Sequence, residues 1–444
     1  MSDSQPAIAI AILGASGLIG QAAASQLAKM GFPVVPVARR FTAAQRQALG
    51  PQAVEQPIVD LDSPALARLL SECGVEIVVN CVGVLQDSRR GDTAGVHDAF
   101  TLRLMQALRD LGRPCLLIHL SVPGRSEDDR TAFSITKREA ERRIASGPLP
   151  FVILRPGFVV APAAYGGSAL IRALASLPFD LPEEVASRPF ASVAVGDIVR
   201  TIAIVAGRWR DGERQWNAVW DVMQRRTPNV GEVVAAFRRH LGGPVPRIPL
   251  PSWLMGAGAK AGDLSARLGW SPPVRTTALA EMRRGVDGDP APWIAATGIA
   301  PATFEETLAD LPATVQEKWF ARLYLAKPLV LGALALFWIV SGLIPLTLSF
   351  EAAAAILAAH GFPPPLAGAA TVATGLADIL IGLAIAFRRT CRAGLLAGIA
   401  LSLAYMAAAA VLAPLLWLDP LGALVKTGPA IVLMLVALAI LDER

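Results

Sequence analysis

Cysteine, histidine and tyrosine are scarce in this sequence of 444 residues. The four cysteines form no CxxC pair and show no spacing typical of metal ligands (Cys73, Cys81, Cys115, Cys391). We therefore expect no metal site, and free, mostly buried thiols that fit a reducing cytoplasm. The sequence also lacks a basic stripe interleaved with aromatic residues, so it gives no support to nucleic-acid binding.

The N-terminus lacks the basic segment with which a secretion signal begins. Its apolar run, AIAIAILGASGLIG, contains three glycines and continues directly into a turn motif. This pattern favours a first β-strand over a signal peptide.

Charge is sparse and balanced in residues 328–444, which carry five basic side chains (Arg388, Arg389, Arg392, Lys426, Arg444) and five acidic ones (Glu351, Asp378, Asp419, Asp442, Glu443). The formal net charge of +5 therefore belongs to the part of the chain before residue 328. A basic soluble domain suits an anionic lipid surface or a phosphorylated cofactor.

Long uncharged runs predict an all-α, four-helix transmembrane domain over residues 328–444, with spans at 329–348, 366–387, 393–416 and 421–441. Basic residues precede the first run and lie between the second and third, whereas the loop 349–365 has none. The distribution places the soluble part and the C-terminus on the cytoplasmic side of an inner (cytoplasmic) membrane. An amphipathic juxtamembrane segment, 313–327, leads into the first span.

Two charged residues fall inside the predicted spans, Asp378 and Lys426. They could pair across the bundle, and we favour a structural ion pair over a substrate site. Glycine and alanine recur along these helices and permit close packing. In span number and small-residue content, residues 328–444 resemble the DoxX-like membrane proteins, a resemblance that implies a quinone-linked or other redox role.

A glycine motif follows the first predicted strand, AIAIAIL at 7–13, and precedes a predicted helix. Gly14 permits a tight turn, Gly17 lets the backbone approach a pyrophosphate, and Gly20 lets the helix pack on the strand. The helix N-terminus then offers backbone N–H groups to phosphate. The candidate cofactor-binding residues here are Gly14, Ser16, Gly17, Leu18, Ile19 and Gly20.

The GxxGxxG spacing and several later segments resemble the extended and atypical short-chain dehydrogenase/reductases. The resemblance covers residues 5–312 and implies an α/β fold: a doubly wound parallel Rossmann sheet with a small second lobe. We place the NAD(P)-binding core at 1–160 and the remainder with the substrate lobe at 161–312. The segment IVDLDS (58–63) resembles the third strand and its turn. The segments IVVNCVGV (77–84), CLLIHLSVPG (115–124) and VILRPGFVVAP (152–162) resemble the fourth to sixth strands, and FASVAVGDIVRTI (190–202) resembles a later segment with Asp197.

The resemblance also assigns residues to the cofactor. The second strand ends in Arg39 and Arg40 with no acid, and an arginine there suits the 2′-phosphate of NADP(H), which we prefer over NAD(H), with Arg39 as the contact. Further cofactor positions are Asp60, at the adenine, and Asn80, Cys81 and Gly83, beside the end of the fourth strand. The helix TPNVGEVVAAFRRHLG (227–242) is expected to begin with Thr227 as its cap.

The usual catalytic tyrosine of this family is replaced by phenylalanine. In the family a tyrosine exchanges the proton during hydride transfer, and a lysine four residues later binds the nicotinamide ribose and lowers the tyrosine pKa. Phe133 and Lys137 occupy these positions on one helix face, and Ser121 takes the place of the catalytic Ser/Thr. Tyr165 is the one tyrosine placed to approach a substrate cleft, although a loop position suits it better. We expect Thr136 and Ser134 to cap or bond back to their own helix.

Two functions of different classes follow. In the first, the protein is a membrane-anchored oxidoreductase that binds NADP(H) and acts on a quinone or another lipophilic substrate from the bilayer. In the second, it is a catalytically inactive NADP(H)-binding scaffold or sensor for a membrane redox partner, because Phe133 cannot exchange a proton. A nucleotide-sugar epimerase matches the extended family, but it would need the missing tyrosine even more.

Overall fold

The structure is a computed structural model that describes residues 8–87, 92–418 and 422–442. It divides into two compact units. The first comprises Met1–Gly262 and Pro273–Lys318, and the second comprises Asp263–Pro272 and Trp319–Arg444. The four cysteines are free, as expected, and Cys115 and Cys391 are buried.

The strands of the first unit are short and alternate with helices along the chain. They are β1 (Ala9–Leu13), β2 (Val34–Ala38), β3 (Val54–Glu55), β4 (Val75–Asn80), β5 (Leu116–Leu120), β6 (Phe151–Pro156), β7 (Phe158–Val160), β8 (Phe179–Asp180), β9 (Ser192–Ala194), β10 (Asn217–Val222) and β11 (Ile248–Pro249).

The helices of this part of the chain are α1 (Leu18–Lys29), α2 (Ala43–Leu49), α3 (Ser63–Glu72), α4 (Phe100–Asp110), α5 (Ala132–Ala145), α6 (Gly167–Ala175), α7 (Glu183–Ala186), α8 (Val195–Arg210), α9 (Val230–Leu241), α10 (Ser252–Arg267), α11 (Thr276–Arg284), α12 (Ala291–Thr297) and α13 (Phe304–Ala309). A π-helical turn, Gly95–Ala99, precedes α4.

Seven parallel strands form the main sheet in the order β3-β2-β1-β4-β5-β6-β10. Helices cover both faces, so the central strand β1 is apolar at every position rather than at alternate ones. In β1, Ile10 and Ile12 enter one buried cluster and Ala11 and Leu13 enter the other. This arrangement confirms the predicted doubly wound Rossmann sheet.

The third strand lies earlier than the sequence pattern predicts. β3 is Val54–Glu55, and the segment predicted as a strand at 58–63 contains a 3₁₀ turn, Ile58–Asp60. The turn follows Pro57, and Asp62 then caps α3 by accepting a hydrogen bond from the Ala65 N–H at 2.9 Å. The residues of this segment therefore serve a turn and a helix cap, which leaves no room for strand pairing.

The second lobe has its own apolar core, in which Phe190, Val233, Phe237 and Phe304 are buried. It includes the strand pairs β7–β9 and β8–β11.

Helix α9 begins later than predicted, because its cap is Asn229 rather than Thr227. The Asn229 side chain accepts from the Glu232 N–H at 2.8 Å, and the Glu232 side chain accepts from the Asn229 N–H at 2.9 Å.

The second unit is helical and apolar. Its helices are α14 (Val315–Thr347, which starts in the first unit), α15 (Phe350–Ala359), α16 (Pro364–Ala386), α17 (Cys391–Leu412) and α18 (Ala423–Ala439). Three of these described helices, α14, α16 and α17, are long and apolar enough to cross a membrane.

The helix ends differ from the prediction in three places. The juxtamembrane segment 313–327 and the first span are not separated, because α14 runs through Pro328 without a break. The predicted loop 349–365 contains α15. The fourth predicted span, 421–441, corresponds to α18, which has 17 residues; residue 421 lies outside the described part of the chain.

Close helix contacts organise the second unit. A Cβ at Gly342 of α14 would collide with the backbone oxygen of Gly375 in α16, so these glycines allow the two helices to touch.

The suggested pairing of Asp378 with Lys426 is wrong: the Tyr405 hydroxyl donates to the Asp378 carboxylate at 3.0 Å, and Lys426 is exposed. Tyr405 lies on the adjacent helix α17, and its side chain is long enough to give the Asp378 carboxylate a hydrogen-bond donor.

Candidate active site

The glycine loop lies at the point where the strand order reverses. Chain order runs outward from β1 to β3 and then returns to β4 on the other side of β1. Gly14 follows β1 with φ +82°, and a Cβ added there would approach the Cys81 oxygen and the Val82 nitrogen to 3.1 Å. The Gly14 N–H donates to the Val37 oxygen at 2.9 Å, which anchors the loop to β2. In open parallel sheets this crevice is the usual place for a ligand.

The remaining glycines close the loop against α1. The Gly17 N–H donates to the Gly14 oxygen at 3.0 Å, and a Cβ at Gly20 would collide with the Gly14 backbone. Among the described residues, no side chain caps α1, whose N-cap is Gly17. The N–H groups at Leu18 and Ile19 are therefore available to an anion, which the helix dipole also favours.

Gln45 supports this loop from a distant part of the sequence. It is buried, and its amide donates to the Ser16 oxygen at 3.1 Å and to the Gln21 side chain at 3.0 Å. Gln45 also completes the capping box of α2 with Thr42. Sequence reasoning missed this residue; the only local signal was the Thr-x-x-Gln pattern, which predicts a cap but not the long-range contact.

The two arginines after β2 differ in their surroundings. Both are exposed. Arg40 lies close enough to Glu55 to help lower the pKa of that carboxyl, after the larger effects of the Phe41 N–H and the Arg46 guanidinium. Among the described residues, Arg39 has no hydrogen-bond or ion-pair partner. Asp60 is exposed in its 3₁₀ turn rather than at a strand end, and its contact with adenine stays a prediction.

Asn80 fixes the backbone beyond the end of β4. Its side-chain oxygen accepts from the Val82 N–H at 3.1 Å, and its amide donates to Nδ1 of His119 at 3.2 Å. Burial lowers the pKa of His119 well below its usual value, so this histidine is a neutral acceptor. Burial likewise raises the pKa of the Cys81 thiol to about 12, which excludes a thiolate there.

Lys137 reaches from α5 to the carboxyl ends of two neighbouring strands. Its Nζ donates to the Leu120 oxygen at 2.8 Å and to the Val82 oxygen at 3.2 Å. A Cβ at Gly83 would lie 3.3 Å from Nζ, so glycine leaves the space that the ammonium occupies. Burial lowers the pKa of Lys137 to about 8. An ammonium has three donors, and the two carbonyls use two of them.

Phe133 packs against a histidine rather than presenting a proton donor. Its ring meets His97 edge to face, with centroids 5.6 Å apart. His97 Nε2 accepts from the Val84 N–H at 3.1 Å, and Nδ1 lies 2.8 Å from the Thr136 hydroxyl. The acceptor role of Nε2 places the ring proton on Nδ1. Burial lowers the pKa of His97 to about 3, so the ring stays neutral.

The hydroxyl-bearing residues near this helix have separate roles. Ser121 is buried, and its Oγ has no hydrogen-bond partner among the described residues. Thr136 bonds back to the Ala132 oxygen at 2.6 Å, and Ser134 bonds back to the Thr131 oxygen at 3.3 Å, as expected. Thr131 is the side-chain cap of α5. Tyr165 lies in the loop between β7 and α6, the kind of position that suits it better than an acid role.

The two family matches fall in different units of the fold. Residues 10–175 match the NAD dependent epimerase/dehydratase family, and residues 335–435 match the DoxX-like family. The chain joins an epimerase/dehydratase-like Rossmann domain to a DoxX-like domain. No curated protein matches the sequence significantly.

Solved structures resemble the Rossmann domain in fold. A UDP-glucuronic acid 4-epimerase from Bacillus cereus has 14% identity and a TM-score of 0.52, with 71% of this chain and 100% of that chain covered. WbmG from Bordetella bronchiseptica has 14% identity and a TM-score of 0.52, with 73% and 98% covered. A UDP-glucose 4-epimerase from Thermus thermophilus has 16% identity and a TM-score of 0.50, with 68% and 96% covered. At these identities the likeness establishes the fold alone.

A buried charge network holds the loop that follows Ser121 in the Rossmann domain. Arg284, at the end of α11, donates to the Pro123 oxygen at 2.5 Å and lies 3.1 Å from the Asp129 carboxylate. Arg138 of α5 pairs with the same carboxylate at 3.3 Å and with Glu141 at 3.1 Å. The network joins α5 to α11 of the second lobe, and sequence reasoning did not find it.

Proposed function

We propose that the protein is a membrane-anchored oxidoreductase that binds NADP(H) through its Rossmann domain and acts on a quinone or another lipophilic substrate. The observation that carries the proposal is the pairing of a phosphate-sized glycine cradle with Lys137 and Ser121 at the ends of neighbouring strands. The same chain carries the DoxX-like domain.

The residues present fit a nicotinamide dinucleotide at four points. The glycine loop leads into the N-terminus of α1, which no side chain among the described residues caps, so its N–H groups could receive a pyrophosphate. Arg39 is exposed beyond β2, where a 2′-phosphate would lie. Lys137 keeps one N–H beyond its two carbonyl partners, and the buried Ser121 hydroxyl lacks a partner among the described residues. The structures of two neighbours, the Thermus thermophilus epimerase and WbmG, were solved with NAD.

The chain's own residues would position the reaction. Lys137, held by Val82 and Leu120, would donate to the nicotinamide ribose, and Ser121 would donate to a substrate oxygen. A bound NADPH would supply hydride. Reduction of a quinone to a quinol needs one hydride and one proton. Since neither Phe133 nor the neutral His97 supplies that proton, it would come from water or from Lys137.

The fusion to a DoxX-like domain favours a lipophilic substrate. Three helices of that domain are long and apolar enough to cross a membrane, so a substrate dissolved in the bilayer could reach the protein without entering water. The distribution of basic residues supports a cytoplasmic Rossmann domain and C-terminus in a multi-pass inner-membrane protein.

The second candidate is a catalytically inactive NADP(H)-binding scaffold or sensor of a membrane redox assembly. Phe133 favours it, because the aromatic contact with His97 fills the position of a proton donor. A nucleotide-sugar epimerase is a weaker candidate even though two of the similar structures are UDP-sugar epimerases, since the missing tyrosine would be needed for sugar oxidation and reduction alike.

The deciding experiment uses full-length protein purified in detergent. NADPH and NADH are titrated by nicotinamide fluorescence, and the near-ultraviolet absorbance of NADPH is then followed after addition of a short-chain quinone. We expect NADPH to bind more tightly than NADH and its absorbance to fall with quinone. The Lys137→Met variant, which keeps the length of the side chain but loses the donors, is the matched control for turnover at the site.

The outcomes separate the candidates. Binding without loss of absorbance, for several quinones of different chain length, would contradict the oxidoreductase and support the scaffold. Absence of binding by either nucleotide would contradict both, because both depend on the glycine cradle. Turnover in Lys137→Met that equals that of the unmodified protein at limiting NADPH would show that reduction occurs elsewhere.

A further inference from the structure

Helix α10 presents an exposed apolar face that no element of the described chain covers. The exposed fractions are 72% for Trp253, 42% for Leu254 and 59% for Leu264, which are large values for such side chains. Exposed positions 253, 257, 260, 264 and 267 follow each other at the three- and four-residue spacing of one helix side. Ala259 and Gly262, on the other side, are buried. The helix is therefore amphipathic with its apolar residues outward.

The exposed charges on and before this face are basic. Between residues 243 and 262 the sequence contains no aspartate or glutamate, and its charged residues are Arg247 and Lys260; Asp263, the one acidic residue of α10, is half-buried at the edge of the face. Lys260 and Arg267 lie on the exposed side of α10 itself. Val245 and Ile248, just before the helix, are also exposed, at 70% and 49%. Exposed tryptophan and leucine beside lysine and arginine are typical of a helix that lies in a membrane interface.

The C-terminal end of α10 lies at the level where a membrane span ends. Residues Asp263–Pro272 belong to the second unit. The Arg388 N–H donates to the Leu268 oxygen at 3.1 Å, and the Trp270 indole donates to the Ala386 oxygen at 2.8 Å. Ala386 is the last residue of α16. The Arg388 guanidinium lies over the Trp270 ring, 5.3 Å from its centroid.

The hydrogen bonds of Leu268 and Trp270 lie beside a cluster of arginines that predicts a membrane boundary. Arg388, Arg389 and Arg392 cluster in the short connection after α16 and at the start of α17, where the positive-inside distribution places lipid headgroups on the cytoplasmic side. Tryptophan and arginine are both favoured at that depth. The segment that follows α10 therefore lies near the predicted headgroup level.

We propose that α10 is an interfacial helix whose exposed face, formed by Trp253, Ala257, Lys260, Leu264 and Arg267, binds the anionic surface of the membrane that α14, α16 and α17 cross. Two observations select lipid as the occupant: the face has basic but no acidic exposed residues, and the chain connects it directly to the end of a span. The proposal does not depend on the cofactor or on turnover.

Spin labels on the full-length protein test the proposal. Cysteine is introduced as Trp253→Cys or Leu264→Cys in a Cys73→Ser background, because Cys73 is the partly exposed thiol outside the candidate site. The labelled proteins are reconstituted in bilayers of phosphatidylcholine and phosphatidylglycerol. Collisions of each label with oxygen, which enters lipid, and with a nickel chelate, which stays in water, are then compared. Met30→Cys, at the exposed C-terminal cap of α1, is the matched control.

We expect oxygen collisions to dominate at positions 253 and 264, and nickel collisions to dominate at position 30. The double variant Lys260→Glu/Arg267→Glu should shift the label at 264 toward the values of the control, and so should replacement of phosphatidylglycerol by phosphatidylcholine. Nickel access at 253 and 264 equal to that at 30 would overturn the proposal. Exclusion of both probes would overturn it as well, since it would mean that a second copy of the chain covers the face.

A label-free measurement guards against misfolded variants. Hydrogen–deuterium exchange of residues 252–262 in the unmodified protein should be slower in nanodiscs that contain phosphatidylglycerol than in detergent, whereas α1 should exchange equally in both. Equal exchange of residues 252–262 in the two media would contradict the proposal independently of any substitution.

Discussion

Phe133 leaves the helix face of Lys137 with one ionisable side chain where the related enzymes have two. His97 does not replace the missing acid, because its Nε2 accepts the Val84 N–H and its pKa is lowered to about 3. The Nδ1 proton points to Thr136, whose hydroxyl bonds to the Ala132 oxygen. The titration of this site near neutral pH therefore depends on Lys137.

We predict that nucleotide affinity falls as pH rises through about 8, the pKa of Lys137. Above that pH the neutral amine has two N–H groups, and the Val82 and Leu120 oxygens occupy both. The contact with the nicotinamide ribose is then lost, a change of about tenfold in dissociation constant for one charge-assisted hydrogen bond. Fluorescence titration of NADH between about pH 7 and about pH 9 measures it, because NADH carries no 2′-phosphate that titrates nearby.

Lys137→Met is the control for this pH dependence. It should bind NADH about tenfold more weakly at neutral pH, with a flat profile, since the side chain no longer titrates. A profile that falls in both proteins would assign the titration to another group and contradict the prediction.

A second prediction concerns the choice between NADP and NAD. Arg39→Ala should weaken NADPH binding by about tenfold or more, which is the usual strength of an arginine–phosphate contact, and should leave NADH binding almost unchanged. Arg40→Ala is the matched control, because Arg40 faces Glu55 and is partly engaged by that carboxylate. Titration of both nucleotides with both variants measures the preference.

The opposite pattern would be informative. If Arg40→Ala reduces NADPH affinity more than Arg39→Ala, the phosphate contact lies one residue later than we infer. If neither variant distinguishes the two nucleotides, the preference for NADP(H) is wrong.

Among the structural elements, α11 and the loop after Ser121 depend on a buried ion-pair network. Arg284 and Asp129 have side chains that are 7% and 4% exposed, whereas the neighbouring pair of Arg283 and Glu184 is about half exposed, at 47% and 49%. Removal of one member of a buried charge network leaves its partners with less compensation, but an exposed pair contributes little.

We predict that Arg284→Met lowers the free energy of unfolding of the Rossmann domain by about 3 kcal/mol. Arg283→Met, one residue earlier, should change it by about 0.5 kcal/mol or less. Denaturant unfolding of the full chain in detergent, followed by tryptophan fluorescence, compares the two. Equal losses in Arg283→Met and Arg284→Met would contradict the prediction.

The elements that the sequence predicts well are those with strong local signals. The GASGLIG turn and the apolar strand before it are examples, because φ at Gly14 and the apolar run are local properties. The third strand was misplaced, because IVDLDS has apolar residues typical of a strand while Pro57 and Asp62 impose a turn and a cap. Gln45, His97 and Arg284 act through contacts 29 or more residues away, which no local pattern encodes.

At the scale of the whole molecule, the sequence predicts the division into a Rossmann and a DoxX-like domain because apolar content changes abruptly near residue 328. The number of membrane crossings is harder to obtain. Helix α18 has 17 residues, about 25 Å at 1.5 Å per residue, which is close to the shortest length that spans a bilayer. Hydropathy alone therefore does not distinguish three crossings from four.

A contact within the DoxX-like domain favours four crossings. The Lys327 ammonium, at the start of the first predicted span, donates to the Leu441 oxygen at 2.8 Å, just beyond the end of α18. The two ends of the domain therefore lie at the same side of the helix bundle. A chain that crosses four times returns to the side from which it started, whereas a chain that crosses three times does not.

We predict that the C-terminus lies on the cytoplasmic side. In a Cys73→Ser background, His360→Cys at the end of α15 should react with a membrane-impermeant maleimide added to intact cells, because the segment around it carries no basic residue and is therefore expected on the outer side. Asp442→Cys should react only after permeabilisation, and so should Thr390→Cys, the control in the basic connection before α17. Labelling of position 442 together with position 360 in intact cells would mean that α18 does not cross, and that the contact between Lys327 and Leu441 does not form in the membrane.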